Sequence, residues 1–153
     1  MSAHAAQPGT LVLASCSRRK TACTAAVPAL ERYVGGIAPH LRARFGHHAD
    51  LRSRILFLSA RHGLIDANTP LCSYDQRLTT ERADELRPRV HRALLRRLDG
   101  IAVPTRLLVV AEPLYLGLLA DLLAAEDRPT LRWVPDPRGW YTAASVLDEW
   151  NWP

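Results

Sequence analysis

The sequence predicts an α/β fold, a three-layer sandwich with a four-stranded parallel sheet between helices. Three observations point there. Four short apolar runs of strand length recur along the chain, at residues 11–14, 55–58, 106–111 and 131–134. Segments of helical length and period lie between them, and strands that alternate with helices make a parallel sheet covered on both faces. The second run, Ile55-Leu56-Phe57-Leu58, is apolar at every position, as a strand buried on both faces must be.

Each element has its own local reason. The first strand runs straight into Ser15, Cys16 and Ser17, then Arg18, Arg19 and Lys20. A helix is expected over residues 38–45, with the Gly35-Gly36 pair breaking the chain before it. Residues 59–78 read as a long irregular stretch, and loops of that length in compact domains are functional or mobile. A helix follows over residues 80–98, capped by Thr79 or Thr80, with Glu81, Asp84 and Glu85 at the positive end of its dipole. Leu86, Val90, Leu94 and Leu98 form its buried stripe. Pro88 is expected to kink it or to mark its start. Arg82, Arg89, Arg92 and Arg96 fall on the other face, which reads as a solvated surface or as a phosphate-binding ridge. Glu112-Pro113 opens a helix over residues 114–125 that is apolar almost all round, so it is either deeply buried or a contact in a homo-oligomer. The last strand leads through Pro135-Asp136-Pro137-Arg138-Gly139 into a helix over residues 140–150. Its Trp140, Ala143, Leu147 and Trp150 share one face and read as core.

Composition bounds the rest. The 153 residues suffice for one domain, 10–153, behind a loose tail, 1–9. No apolar run approaches the roughly 20 residues of a membrane span, and the first residues lack the charged start and apolar core of a signal peptide. No membrane partner is expected. Three cysteines, Cys16, Cys23 and Cys72, make an odd number with no CxxC pair, which argues for a reducing, cytoplasmic setting and against a disulfide framework. The net charge of +5 and a pI near 9.6 permit an anionic partner such as a nucleotide or nucleic acid. Arginine-rich codon usage explains the charge equally well. Against nineteen arginines, Lys20 is the only lysine in the chain.

In a parallel sheet, ligands bind beyond the carboxyl ends of the strands. The four loops of chemical interest, residues 15–20, 59–63, 112–115 and 136–139, all follow strands and so are expected on one rim. The first offers Ser15, Ser17 and backbone amides to cradle an anion, with Lys20 as a point charge and Arg18 as a planar fork. It matches neither the GxxxxGK[ST] loop nor the GxGxxG fingerprint, and a Cys-x5-Arg phosphatase loop fails at Ala22. Cys16 reads as a small buried residue at a strand end or as a nucleophile activated by cations. The second loop brings Arg61, His62 and Gly63. His62 is placed to act as a general acid or to bind a leaving group, and Gly63 lets the backbone turn sharply. Tyr74 and Asp75 follow closely. Asp75 has the chemistry to orient His62, to activate water, or to stabilise positive charge on a sugar. Glu112 and Arg138 complete the candidate substrate-binding set. A metal site built from Cys16, Cys23, Cys72 and His62 has no pair at short ligand spacing, so neither a metal nor a cofactor is expected.

Four segments in this order also carry a resemblance: SCSRRK (15–20), LERYVG (30–35), LSARHGLI (58–65) and YDQRL (74–78). They resemble the small bacterial uncharacterised-domain proteins often labelled peroxide-stress YaaA-like, over about residues 10–98. Arg61 stands where that group usually has lysine, and Arg32-Tyr33 where it has Leu-Tyr. The group is similar in turn to the uracil-DNA glycosylase-like fold and to a domain of archaeosine-type tRNA-modifying enzymes. The resemblance implies a four-stranded parallel sheet of order 2-1-3-4. It implies a role in nucleotide or nucleic-acid chemistry on DNA or tRNA. The glycosylase motifs themselves are missing, since the first loop has no acid and residues 135–139 have no histidine.

The function expected is therefore the processing of a nucleotide or nucleic-acid base, by cleavage or exchange of an N-glycosidic bond. His62 and Asp75 are the expected catalytic residues. Ser15, Cys16, Ser17, Arg18, Lys20, Arg61, Gly63, Tyr74, Glu112 and Arg138 are the expected binding set. The alternative is a non-catalytic nucleic-acid-binding protein of stress response or genome maintenance.

Overall fold

The apolar run TLVLAS forms the central strand of the sheet, β1 (Thr10–Ser15), in the computed structural model, which describes residues 9–16, 25–72, 74, 76–101 and 105–153. The elements that follow are β2 (Val27–Pro28), α1 (Ala29–Arg32), α2 (Ala38–Phe45), α3 (Ala49–Arg52), β3 (Ile55–Ser59), β4 (Gly63–Asp66) and β5 (Pro70–Leu71). After these come α4 (Thr80–Asp99), β6 (Arg106–Val110), α5 (Pro113–Leu116), α6 (Ala120–Leu123), β7 (Thr130–Val134) and α7 (Trp140–Glu149).

The main sheet has five strands in the order β4-β3-β1-β6-β7. β3, β1, β6 and β7 are parallel, and β4 runs antiparallel at the edge against β3. The sheet is thus mostly parallel, with one strand more than expected. The extra strand comes from the stretch 59–78, which also supplies β5 to a small antiparallel ladder with β2. Gly63 is what makes the turn from β3 to β4 so short. It sits at φ +79°, a conformation that costs other residues a Cβ clash.

Alternation along the strands divides the core. Val12, Ala14, Ile55, Phe57, Leu108 and Val110 face α1, α2 and α7. Leu11, Leu13, Leu56, Leu58, Leu107 and Val109 face α4 and the leucines of the segment after β6. Of the expected stripe on α4, Leu86, Val90 and Leu94 are each at most 1% exposed, and burial of each side chain stabilises by roughly 1.5–3 kcal/mol, whereas Leu98 near the end of the helix is only half-buried. Thr79 caps the helix, its hydroxyl accepting from the Arg82 N–H at 3.1 Å. Pro88 does not end it. The proline is exposed, so water can reach the carbonyl that its missing N–H leaves unpaired. The segment expected as one helix over 114–125 is instead α5, a 3-10 turn at Gly117–Leu119 and α6, broken where Gly117 falls. Leu118, Leu119 and Leu122 are buried in the α4 layer, which accounts for much of its apolar character. No helix among the described residues is long and apolar enough to cross a membrane.

Candidate functional site

Three of the chain's four tyrosines gather at the carboxyl ends of β1, β3 and β6. Ser59, the last residue of β3, is the anchor. It is fully buried, and its Oγ accepts the backbone N–H groups of Arg61 at 3.2 Å and His62 at 3.1 Å. This hydroxyl holds the tight turn after β3 in shape. With both lone pairs engaged, the Ser59 hydroxyl donates to the Tyr74 hydroxyl, 2.8 Å away. Tyr74 and Tyr33 share a further hydrogen bond of 2.7 Å between their hydroxyls, also buried. The Tyr33 ring packs on Phe57 at 5.0 Å, which ties it to the sheet.

His62 stands edge-on to the Tyr74 ring, centroids 5.2 Å apart and planes at 87°. Burial lowers its pKa below the ordinary imidazole value, and the positive charges of Arg61 and Arg89 lower it further. Its ring is therefore neutral at physiological pH. On the β1 side, the Cys16 N–H donates to the Leu58 carbonyl at 2.8 Å, and its sulfur lies 3.3 Å from the Tyr115 hydroxyl. Cys16 is a free thiol. Burial raises the pKa of Tyr33, Tyr74 and Tyr115 well above the ordinary phenol value, and electrostatic interaction with Cys16 adds to each shift. All three phenols stay protonated and remain donors. Glu112 is exposed at the start of α5, and its charge also raises Tyr115.

The expected site residues divide accordingly. Cys16, Arg61, His62, Gly63, Tyr74 and Glu112 lie around this cluster, and Ser15 is half-buried beside it, in register with Leu58. Arg61 is exposed, and its carbonyl accepts from Arg82 at 2.8 Å. Arg82 also donates to the Ala60 carbonyl at 2.9 Å, so it clamps the β3–β4 turn to α4. Arg138 is exposed on the turn between β7 and α7, and among the described residues no hydrogen bond or ion pair joins it to the cluster. That turn packs instead against the loop before α2, where a Cβ on Gly36 would lie 3.3 Å from the Pro137 carbonyl. Ser17, Arg18, Lys20 and Asp75 lie outside the described residues.

Sequence reasoning did not put Tyr33, Ser59 or Tyr115 in the binding set. Ser59 and Tyr115 lie on loops that it singled out. Tyr33 follows a short helix, and the LERYVG segment that contains it gave no reason to place its side chain in the site. Arg32 is a further surprise, since it is 1% exposed. It donates to the Leu71 carbonyl at 3.0 Å and the Ala25 carbonyl at 2.7 Å, which fixes the β2–β5 ladder beneath Tyr33 and Tyr74. Cys72 is disulfide-bonded, which removes it from any metal set and departs from the reading of the odd cysteine count as evidence against disulfides. A cavity of about 520 Å³ lies away from the cluster, by the amino ends of β6 and β7, with His91, Asp99, Asp121 and Arg128 in its wall.

In comparisons with family models, curated proteins and solved structures, nothing matches this chain.

Proposed function

We propose that this protein processes the base of a nucleotide or nucleic acid, breaking or exchanging the N-glycosidic bond. One observation carries the reading. Three un-ionised phenols, a serine, a neutral histidine and a thiol converge where a parallel sheet binds its ligands. The half-buried Cys16, His62 and Tyr115 offer neutral hydrogen-bonding groups to the nitrogens and exocyclic oxygens of a base, and the buried Ser59, Tyr33 and Tyr74 hold them in place. The resemblance of SCSRRK, LERYVG, LSARHGLI and YDQRL to the YaaA-like group supports the same class of substrate.

In the proposed reaction, water adds to the anomeric carbon as the bond to the base nitrogen breaks. The bonding electron pair leaves with the base, and the proton given up by the attacking water ends on the base nitrogen. Asp75 stabilises the positive charge that develops on the sugar or takes the proton of the attacking water. His62, neutral in the resting state, holds the departing base by hydrogen bonding rather than as a strong acid. Ser15, Ser17, Arg18 and Lys20 hold phosphate. Glu112 is a second carboxylate at the mouth.

Incubation with a panel of nucleotides, modified DNA and tRNA, followed by chromatography for free base, tests the proposal. Release is expected, with a loss of at least tenfold for His62→Ala and for Asp75→Ala. Absence of release across the panel refutes it. The second reading, a nucleic-acid-binding protein without catalysis, is favoured by the exposed arginines of α4 and predicts binding with no release.

A further inference from the structure

The edge of the sheet beside His62 continues into a positively charged surface. β4 and α4 lie side by side and run the same way. At one end, a Cβ on Gly63 would lie 3.4 Å from the Val90 side chain, and Arg89 acts electrostatically on His62. At the other, Asp66 pairs with Arg97 at 3.4 Å. A groove of about 270 Å³ lies between them, with Leu64, Ile65, Thr69 and Arg96 in its wall. The path from His62 along β4 is therefore also the path from Arg89 to Arg96.

Elsewhere on the surface some arginines pair with carboxylates, as Arg44 does with Asp148 and Arg132 with Glu149, while Arg77, Arg128 and Arg138 are exposed singly, each in no ion pair among the described residues. Along this path the carboxylates are already engaged. Glu85 pairs with Arg82, and Asp66 with Arg97. Arg61, Arg89, Arg92 and Arg96 are exposed and take part in no ion pair among the described residues. A helix rises about 1.5 Å per residue, so Arg89 and Arg96 are roughly 10 Å apart along the axis. A mononucleotide with its base at His62 has no phosphate that far out. A strand has several.

We infer that the substrate is single-stranded nucleic acid, whose backbone leaves the site along α4 over Arg89, Arg92 and Arg96. The inference rests on the reading of the tyrosine cluster as a base site. A base must leave the stack to reach such a site, which favours a single strand over a duplex. The arginines supply affinity along the backbone and carry no sequence information.

The test is anisotropy of a labelled eight-nucleotide oligothymidylate at several salt concentrations, with release of base from the oligonucleotide and from thymidine monophosphate measured alongside. Each phosphate contact on a single strand contributes about 0.7 to the slope of log K against log salt, so Arg92→Ala/Arg96→Ala is expected to lower the slope by about 1.4. Oligonucleotide affinity should fall more than tenfold. Arg132→Ala, which breaks an exposed pair elsewhere, should leave both unchanged. An unchanged slope in the double variant overturns the inference, as does equal or tighter binding of duplex DNA or polyglutamate. If the slope falls as expected but no base is released from these substrates or from any member of the wider panel, the strand path stands and the N-glycosidic reading fails. Release from the monophosphate with an unchanged slope leaves that reading standing and the path refuted.

Discussion

Ser59→Ala removes one oxygen atom and tests the logic of the whole cluster. In the native chain that oxygen accepts the N–H groups of Arg61 and His62 and donates to Tyr74. The residue is fully buried in β3, where alanine fits without steric conflict. Its loss leaves the half-buried His62 N–H without its acceptor, and an unsatisfied donor shielded from water costs about 1–3 kcal/mol. The Arg61 N–H belongs to an exposed residue and recovers part of its bond from water. Tyr74 loses a donor and keeps Tyr33. The sum expected is about 2–3 kcal/mol, which at roughly 2–4 °C per kcal/mol lowers Tm by about 5–10 °C in a chain of this size. Urea unfolding should show the same loss as a lower midpoint with an unchanged m value. Tyr74→Phe should cost less, about 1 kcal/mol, because Ser59 keeps both backbone partners. The two substitutions share a bond, so the double variant should fall short of additivity by about 0.5–1.5 kcal/mol. A loss below about 0.5 kcal/mol for Ser59→Ala, or strict additivity, refutes the view that this hydroxyl organises the turn.

Four further outcomes follow from the same geometry. His62 should titrate below 6.5 by NMR, and Arg89→Ala should move its midpoint upward; no movement would remove Arg89 from the site's electrostatics. Because the folded chain holds that proton less tightly than the unfolded one, this histidine costs almost no stability well above pH 6.5, and its penalty grows as pH falls from 6.5 to the folded pKa and is constant below it. Tyr33, Tyr74 and Tyr115 have the opposite sign. Their raised values stabilise the fold below pH 10, and that contribution is lost as pH rises further, so alkaline absorbance titration should release these phenols together with unfolding. Arg32→Met keeps the apolar stem but removes the donors to the buried Leu71 carbonyl and to the Ala25 carbonyl, and should cost about 1–3 kcal/mol by urea denaturation. Gly63→Ala should cost about 1–2 kcal/mol for its left-handed backbone alone, and it should impair base release more than the equally small Ala93→Gly on the outer part of α4.

The alternation of strands and helices was legible because it depends on patterns a few residues long. Burial on both faces forces Ile55–Ser59 to be apolar throughout, and the four-residue spacing on α4 records its contact with the sheet. β4 was not legible for a physical reason. An edge strand of four residues, Gly-Leu-Ile-Asp, is too short for alternation to show, and its place is set by the Ser59 turn rather than by propensity. The helix over 114–125 misled for the opposite reason. Its leucines recur at helical spacing, but a single glycine at 117 is enough to divide a segment held mainly by tertiary contacts.

The site divides the same way. His62, Gly63 and Tyr74 stood out because their loops follow strands, and that rule depends only on topology. Tyr33 and Ser59 did not, because what matters in them is a bond across 15 to 41 residues of chain. The direction of those bonds gives the site its character. Two backbone N–H groups occupy the Ser59 oxygen, so its proton must point to Tyr74, and burial keeps each phenol from ionising. The interior thus presents neutral donors, while the unpaired arginines stand outside on α4. On the proposed reading, charge selects the backbone at the surface and hydrogen bonding selects the base within. The two selections are separable: Arg92→Ala/Arg96→Ala should weaken binding of every sequence alike, whereas Tyr74→Phe should change the preference among bases with the salt slope intact.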